Sequence, residues 1–246
     1  MDTLFISDLH LSPERPSQIE LFKRLLRGPA RKAQALYILG DLFEEFWAGN
    51  DDCTPPNPDI VAELKTFTGA GGQCYVLRGN RDLMLDPGFE SLTGCILLPD
   101  ETVIETDGTK TLLMHGDTLC TRDWTYQLFR AFMDCAPVRK LYQSLSYNTR
   151  TRLAHGLRPA MRRSTDFKAL EIVDVTQAAV ERAARRFGVS EIIHGHTHRP
   201  AVHAFDVEGR RVRRFVLGDW YVDPKMLVRT GERRRLVSVE DYLTKS

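Results

Sequence analysis

The sequence predicts an α/β domain built on a layered sheet. Short, nearly continuous apolar runs are typical of strands buried on both faces, and they alternate along the chain with segments of helical periodicity. Of the 246 residues, 42% are hydrophobic and 27% are charged, which is an ordinary composition for a globular protein. A chain of this length buries a sizeable core without disulfides. We therefore expect one domain over residues 1–246 and exclude a disordered chain and a polytopic membrane protein.

The predicted strands all stop at polar residues or glycine. They are Thr3–Ser7, Ala35–Leu39, Cys74–Leu77, Lys110–Met114, Glu191–Ile193 and Arg214–Leu217. The predicted helices between them are Ser17–Leu26, Ile60–Phe67 and Val173–Phe187. Near the C-terminus two strand-like runs flank Glu208-Gly209, a pair of residues that favours a tight β-hairpin.

One region, from about Cys120 to Arg163, breaks this alternation. It contains no good strand but several helical stretches. In one of these stretches four side chains are expected to share a face: Tyr126, Phe129, Phe132 and Met133. We interpret residues 120–168 as a helical cap inserted into the domain.

Basic residues are distributed unevenly, although the net charge is only +1. Seven of them and no acid lie between Arg139 and Arg163. Such a patch can meet phosphates or an anionic membrane surface, and a solvated helix face is the alternative. We interpret a second run, Arg229 with residues 233–235, as a solvated helix face. The low net charge gives no reason to expect nucleic acid as a partner.

The cysteines and the first residues of the sequence point to a reducing, cytoplasmic setting. Five cysteines are present without a CxxC motif, so neither a disulfide framework nor a zinc knuckle is expected. The N-terminal residues lack the basic and apolar regions of a signal peptide. No apolar run approaches the ~20 residues that a membrane-spanning helix needs.

Seven metal-competent side chains follow the predicted strands: Asp8, His10, Asp41, Asn80, His115, His196 and His198. Ligands of α/β sheets bind beyond the carboxyl ends of the strands, so tertiary structure can bring these residues together. Taken singly, each is more often a turn, a helix cap or a core residue, but five segments repeat the same placement. Oxygen and nitrogen donors without thiolate favour Mn²⁺, Fe²⁺ or Zn²⁺. A carboxylate such as Asp41 could bridge two ions, which would activate water for an in-line phosphoryl displacement.

The motifs at these positions resemble those of the calcineurin-like metallophosphoesterases: Asp8-x-His10, Gly40-Asp41, Gly79-Asn80, His115 and Gly195-His196-x-His198. The resemblance implies a β-sandwich flanked by helices and a dinuclear metal centre. It assigns one ion to Asp8, His10, Asp41 and His198. It assigns the other ion to Asp41, Asn80, His115 and His196.

Longer strings look like those of the UDP-2,3-diacylglucosamine hydrolases of lipid A biosynthesis, which also carry a helical cap: Gly40-Asp-Leu-Phe-Glu44, Gly79-Asn-Arg-Asp82 and Ile193-His-Gly-His-Thr-His-Arg-Pro200. This narrower resemblance implies a pyrophosphohydrolase that converts UDP-2,3-diacylglucosamine to UMP and 2,3-diacylglucosamine 1-phosphate (lipid X). Metal-activated water would attack the α phosphorus, and two Mn²⁺ ions per chain are expected. The resemblance also implies a peripheral protein whose cap rests on the anionic cytoplasmic face of the inner membrane. No obligate protein partner is expected.

The resemblance assigns roles to individual side chains. Arg81 and His115 are the catalytic candidates, and the guanidinium of Arg81 would neutralise the diphosphate; a salt bridge to Asp82 is the alternative. The substrate-binding residues would be Asn80, Arg81, Asp123, Arg158, Thr165, Lys168 and His196. Apolar side chains of the cap would receive the acyl chains, although an apolar helical stripe is more often ordinary core.

Two other functions stay open at this point. One is a calcineurin-like phosphodiesterase acting on a soluble nucleotide, such as a dinucleoside polyphosphate, which would need a small polar pocket rather than a deep apolar one. The other is a non-catalytic scaffold that keeps the fold, and such a scaffold would be expected to lose ligands.

Overall fold

The computed structural model describes residues 1–44, 56–146, 148–150, 152–153 and 174–245. Within these ranges two β-sheets face each other and helices cover their outer surfaces. Of the helices in this part of the chain, none is both long and apolar enough to cross a lipid bilayer.

The first sheet contains six strands: β1 (Asp2–Ile6), β2 (Ala35–Leu39), β3 (Cys74–Leu77), β4 (Ile96–Leu97), β10 (Lys225–Thr230) and β11 (Arg233–Ser238). Their spatial order is β11-β10-β1-β2-β3-β4. β1 to β4 are parallel to one another, whereas β10 runs antiparallel to β1 and to β11. Because parallel strands end at the same edge, the loops that follow β1, β2 and β3 leave the sheet side by side.

The second sheet contains five strands: β5 (Glu101–Thr106), β6 (Thr109–Met114), β7 (Glu191–His194), β8 (Ala201–Val207) and β9 (Arg210–Val216). Their order is β5-β6-β7-β9-β8, and β6, β7 and β9 are parallel. β8 and β9 form the predicted hairpin, which turns at Glu208 and Gly209 with positive φ at both residues.

The principal α-helices are α1 (Pro16–Arg27), α2 (Asn57–Gly69), α3 (Pro87–Thr93), α4 (Trp124–Asp134), α5 (Ala136–Ser144), α6 (Gln177–Phe187) and α7 (Val239–Lys245), and short 3₁₀ helices lie at Pro29–Lys32 and Asp117–Leu119. α1, α2 and α3 pack on the outer face of the first sheet through Phe22, Leu64 and Phe89. α6 packs on the outer face of the second sheet through Val180 and Ala184.

A shared apolar core holds the two sheets together. Its buried side chains come from strands of both sheets and the loops that follow them: Phe5, Leu39, Leu77, Leu113, Ile193, Phe215, Leu217 and Leu227. Each such side chain contributes on the order of 1.5–3 kcal/mol when fully buried. The predicted α/β architecture with a β-sandwich is therefore confirmed, and this core fixes the loops of one sheet relative to those of the other.

All of the predicted strands and helices are present, but some ends differ. β9 begins at Arg210 rather than Arg214. α6 begins at Gln177, because the preceding Thr176 keeps an extended backbone with φ −91° and ψ 134°. The predicted first residue of that helix, Val173, lies outside the described residues.

The interpretation of the C-terminal basic run as a solvated helix face is wrong. Its residues lie on β10 and β11, and the side chains of Arg229 and Arg234 are only 3% exposed. Nε of Arg234 lies 3.0 Å from the buried carboxylate of Glu191, and Arg229 donates a hydrogen bond to the carbonyl of Thr106. Because Glu191 and Thr106 belong to the second sheet, these arginines join the two sheets.

The helices α4 and α5 lie within the predicted cap, of which residues 154–168 are outside the described part of the chain. The prediction that Tyr126, Phe129, Phe132 and Met133 share one face of a helix is wrong for Phe132. Met133 is buried with Phe129 packed beside it, whereas Phe132 is 60% exposed. Phe132 continues the exposed row of Trp124 and Leu128 at four-residue spacing, which places these three side chains on one side of the helix.

Candidate metal centre

All seven predicted ligands lie in loops at one edge of the sandwich, beyond the carboxyl ends of parallel strands. The loop after β1 carries two of them, those after β2, β3 and β6 carry one each, and the loop after β7 carries two: Asp8, His10, Asp41, Asn80, His115, His196 and His198. The fold thus brings together residues from both sheets.

Five of these seven residues have a left-handed backbone, with positive φ at Asp8 (55°), His10 (46°), Asp41 (53°), His196 (68°) and His198 (55°). A sparsely populated backbone conformation costs a non-glycine residue on the order of 1–3 kcal/mol, and such strain clusters at active sites and ligand clamps. Two other non-glycine residues share this conformation, Asp107 and Glu208, and both lie in hairpin turns. The remaining five all lie in the loops that turn the predicted ligands toward one another.

The first set of donor atoms surrounds Asp8. Nε2 of His198 lies 3.3 Å from Oδ1 of Asp8, and Nε2 of His10 lies 4.0 Å from the same oxygen. One donor atom from each of the three residues lies within 4.8 Å of the other two. This spacing suits donors that each stand about 2.0–2.2 Å from a common ion.

The second set surrounds Asn80. Its Oδ1 lies 2.9 Å from Nε2 of His115 and 2.8 Å from Nδ1 of His196. The two imidazole nitrogens are themselves 3.3 Å apart. The far nitrogen of His115, Nδ1, is 2.9 Å from the carbonyl oxygen of Leu39. Because a carbonyl oxygen can only accept a hydrogen bond, this contact places a proton on Nδ1 of His115. It thereby orients Nε2 toward the donor atoms around Asn80.

Asp41 lies between the two sets. Its Oδ2 is 3.6 Å from Nε2 of His10 and 3.7 Å from Nε2 of His115. Its other oxygen, Oδ1, accepts the main-chain N–H of Arg81 at 2.8 Å. The position of Oδ2 is the one expected of a carboxylate shared by two ions.

The electrostatics of the cluster favour a bound cation. Burial alone lowers the pKa of the His115 ring, but the charges of Asp41 and Asp8 raise it to about 9. Burial and the charge of Asp41 raise the pKa of the neighbouring Asp82 to about 6. Buried carboxylates therefore concentrate negative charge beside imidazole nitrogens, and this oxygen and nitrogen donor set fits a divalent transition-metal ion.

Two further carboxylates orient the histidines of the first set. Nδ1 of His10 lies 3.3 Å from Oε2 of Glu44, and Nδ1 of His198 lies 3.3 Å from Oδ2 of Asp219. Outer partners of this kind fix the ring orientation of metal-ligating histidines. Neither Glu44 nor Asp219 is among the residues predicted from the sequence. In the sequence, Glu44 ends the string Gly40-Asp-Leu-Phe-Glu44, which follows the second predicted strand, and Asp219 follows Gly218 directly after the last predicted strand.

Comparison with known proteins identifies the family. The family model for calcineurin-like phosphoesterases matches residues 1–200. The chain belongs to this family.

The phosphoesterase is also similar to proteins named UDP-2,3-diacylglucosamine hydrolase. The relative from Serratia proteamaculans is 43% identical, over 96% of this chain and 98% of its own. The relative from Escherichia coli O81 is 44% identical over the same shares of the two chains. The relative from Pseudomonas paraeruginosa is 46% identical, over 89% of this chain and 91% of its own.

The side chain of Arg81 lies beside the metal centre of the phosphoesterase and is 38% exposed. It is not paired with Asp82, which was the alternative. The buried carboxylate of Asp82 instead accepts main-chain N–H groups from Gly79 at 2.6 Å and Leu42 at 2.8 Å. Asp82 therefore shapes the turn that presents Asn80 and Arg81.

The other predicted substrate-binding residues lie in different parts of the chain, and only some of them are described by the structure. His196 and Asn80 lie in the candidate metal centre. Asp123 is buried at the N-cap of α4, where its carboxylate accepts the main-chain N–H of Tyr126 at 3.1 Å. The three remaining candidates lie outside the described residues: Arg158, Thr165 and Lys168.

The helix α4 connects the predicted cap to the candidate metal centre. The ring of Tyr126 stacks on His196 with 6.4 Å between centroids. Tyr126 and Arg130 both donate to the buried carboxylate of Asp117, two residues after His115. Arg130 also lies 2.8 Å from Asp100. These contacts tie the position of the cap helix to the loop that carries His115.

Proposed function

We propose that this phosphoesterase is a pyrophosphohydrolase of lipid A synthesis that cleaves UDP-2,3-diacylglucosamine to UMP and 2,3-diacylglucosamine 1-phosphate. The observation that carries the proposal is the convergence of seven oxygen and nitrogen donors, with Asp41 between two sets, beside a helix with an exposed apolar row. The names of the similar proteins support this choice of substrate.

Two Mn²⁺ ions are the proposed cofactors. Asp8, His10, Asp41 and His198 would hold one of them, and the second would be held by Asp41, Asn80, His115 and His196. When bound, such ions polarise phosphoryl oxygens and lower the pKa of water. Carboxylate, amide and imidazole donors without thiolate suit Mn²⁺, Fe²⁺ or Zn²⁺, and the resemblance to the UDP-2,3-diacylglucosamine hydrolases favours manganese among them.

Arg81 and His115 are the proposed catalytic side chains. The fork of the Arg81 guanidinium matches diphosphate oxygens, and the hydrogen bond from its main-chain N–H to Asp41 keeps it beside the donors. His115 is held by the Leu39 carbonyl so that Nε2 faces the cluster. Attack at the uridine-side phosphorus would break the bond to the bridging oxygen and release lipid X.

The cap is proposed to receive the acylated half of the substrate and to rest on the inner membrane from the cytoplasmic side. Four of its apolar side chains are 60–66% exposed: Trp124, Leu128, Phe132 and Leu141. Exposed apolar groups beside basic residues, here Arg139 and Lys140, are typical of peripheral membrane surfaces. Asp123, Arg158, Thr165 and Lys168 would bind the sugar and its phosphate, with Asn80, Arg81 and His196.

The test is an incubation of the purified, Mn²⁺-loaded protein with UDP-2,3-diacylglucosamine in detergent micelles, with products identified by mass spectrometry. We expect UMP and lipid X in equal amounts, and no product after chelation. A dinucleoside polyphosphate is the parallel substrate. Cleavage of that soluble nucleotide without formation of lipid X would refute the proposed substrate, and absence of both activities would favour a non-catalytic scaffold.

A further inference from the structure

The metal centre has two flanks that differ in chemistry. On one side the cap residue Tyr126 stacks on His196, next to the exposed apolar row of α4. On the other side the ring of Tyr221 stacks on His10, with 5.2 Å between centroids, and lies 6.3 Å from His198. The side chains recorded in contact with Tyr221 are charged or polar, namely Arg15, Glu44, His10 and His198.

Arg15 covers Tyr221 on this second flank. Its guanidinium carbon lies 3.7 Å from the centre of the Tyr221 ring. Nη1 of Arg15 donates to Oε2 of Glu44 at 3.4 Å and to the carbonyl of His10 at 3.5 Å. The arginine is thus held in place by three partners, yet 36% of its side chain stays exposed.

Two guanidinium groups and two carboxylates lie on this flank: Arg15, Arg81, Glu44 and Asp219, the last of which accepts the main-chain N–H of Tyr221 at 2.9 Å. Glu44 accepts a hydrogen bond from the Tyr221 hydroxyl at 2.9 Å and lies 3.7 Å from Nη1 of Arg81. One carboxylate therefore faces two guanidinium groups, those of Arg15 and Arg81. Nε of Arg81 is buried without a hydrogen-bond partner among the described residues. Two guanidinium groups held beside the candidate metal ligands can bind a phosphate group, and either can also stack on a planar ring attached to that phosphate.

We infer that Arg15 and Tyr221 form the subsite for the nucleoside monophosphate half of the substrate, an inference that rests on the proposed function. The two halves of a diphosphate diester extend in opposite directions from the scissile bond. The apolar cap flank suits the acylated half, so the nucleotide half lies on the polar flank. There the pyrimidine base stacks on the guanidinium plane of Arg15, which Tyr221 supports from behind, while Arg81 contacts the phosphates.

The test measures binding of radiolabelled UMP to the Mn²⁺-loaded protein by equilibrium dialysis, because this readout does not require turnover. Loss of stacking on one base lowers affinity about 5- to 150-fold, and we expect a loss in this range for Arg15→Ala. We expect Arg15→Lys to recover little of the lost affinity, because an ammonium group is not planar and cannot stack on the base. Arg24→Ala, at an exposed arginine on α1, is the matched control and keeps wild-type affinity.

Kinetics separate this role from a structural one. In Arg15→Ala we expect KM for UDP-2,3-diacylglucosamine to rise by the same factor as the UMP dissociation constant, with kcat within threefold and Mn²⁺ content unchanged. Inhibition by lipid X should keep its wild-type constant. Unchanged UMP affinity in Arg15→Ala, or no UMP binding by the wild type, would overturn the subsite. UMP binding that depends on Arg15, in a protein that does not cleave the lipid substrate, would support the subsite and refute the proposed function alone.

Discussion

The main-chain N–H of His196 donates to both carboxylate oxygens of Asp8, at 3.1 and 3.0 Å, across 188 residues of sequence. Asp8 follows β1 in the first sheet and His196 follows β7 in the second. The contact therefore locks together two loops of the metal centre that the shared apolar core brings to the same edge. It also holds the carboxylate of Asp8 so that Oδ1 faces the imidazoles of His10 and His198.

Gly195 is the residue that allows this contact. A Cβ atom at this position would lie 2.1 Å from Oδ2 of Asp8 and 2.3 Å from Oγ of Ser7. We expect Gly195→Ala to destabilise the protein by about 1–3 kcal/mol, the usual cost of overpacking a well-packed site, and to lower bound Mn²⁺ and kcat at least tenfold.

Urea unfolding and metal analysis measure both effects. Gly69→Ala is the matched control, because a Cβ at Gly69 meets nothing within 4 Å. If Gly195→Ala retained wild-type metal content and turnover, the two loops would not need the close approach seen here.

Asp41 is expected to be indispensable for metal binding, since its Oδ2 lies between the two donor sets. Saturating Mn²⁺ at about 100 times its dissociation constant stabilises a protein by about 2.7 kcal/mol, which for a domain of this size raises Tm by roughly 5–10 °C. In Asp41→Ala we expect the increase in Tm caused by Mn²⁺ to fall to less than half of the wild-type increase, and we expect no activity. Thermal unfolding with and without Mn²⁺ measures the shift, and an unaltered shift in Asp41→Ala would contradict a shared ligand.

Arg130 is expected to hold the cap helix in place. Its guanidinium contacts Asp117 and Asp100, and both Arg130 and Asp117 are buried. Removing one partner of a buried ion pair leaves an uncompensated charge and costs about 3–5 kcal/mol. We expect a loss of this size in Arg130→Met, measured by urea unfolding with metal chelated. Arg182→Met, at an exposed arginine of α6, should change stability by less than about 0.5 kcal/mol; equal stabilities for the two variants would show that the contact does not hold the cap.

The exposed row of α4 is expected to bind lipid. Replacing Trp124 and Phe132 by glutamine removes two apolar side chains, each worth about 1.5–3 kcal/mol when buried, so the fraction that sediments with phosphatidylglycerol-containing vesicles should fall roughly tenfold or more. The matched control is Val222→Gln, because Val222 is 87% exposed but lies outside the cap. A double variant that sediments like the wild type would show that this row does not mediate membrane attachment.

The seven predicted ligands could be found from the sequence because they directly follow five short apolar strands. A parallel sheet brings such positions to one edge regardless of how far apart they are in the chain. Glu44 and Asp219 were less accessible, since their roles depend on which histidine nitrogen they face. That relationship arises from loop geometry and leaves no periodic signal.

Charged strands were misread for a related reason. Arg234 is polar and stands in a basic run, yet the buried Glu191 of the other sheet compensates its charge at 3.0 Å. Composition alone predicts a solvated surface for such a run, because the partner is 43 residues away in the sequence. The two-residue strand β4 is likewise set by pairing with β3 rather than by its own residues.

The proposed reaction is hydrolysis at the uridine-side phosphorus of UDP-2,3-diacylglucosamine by the candidate metal centre. The most direct measurement is the reaction in ¹⁸O-labelled water with Mn²⁺, in which the isotope content of both products is determined by mass spectrometry. We expect one ¹⁸O atom in UMP, none in 2,3-diacylglucosamine 1-phosphate, and no reaction after chelation. Label in the lipid product would contradict attack at the uridine side, and failure to form lipid X would contradict the proposed function itself.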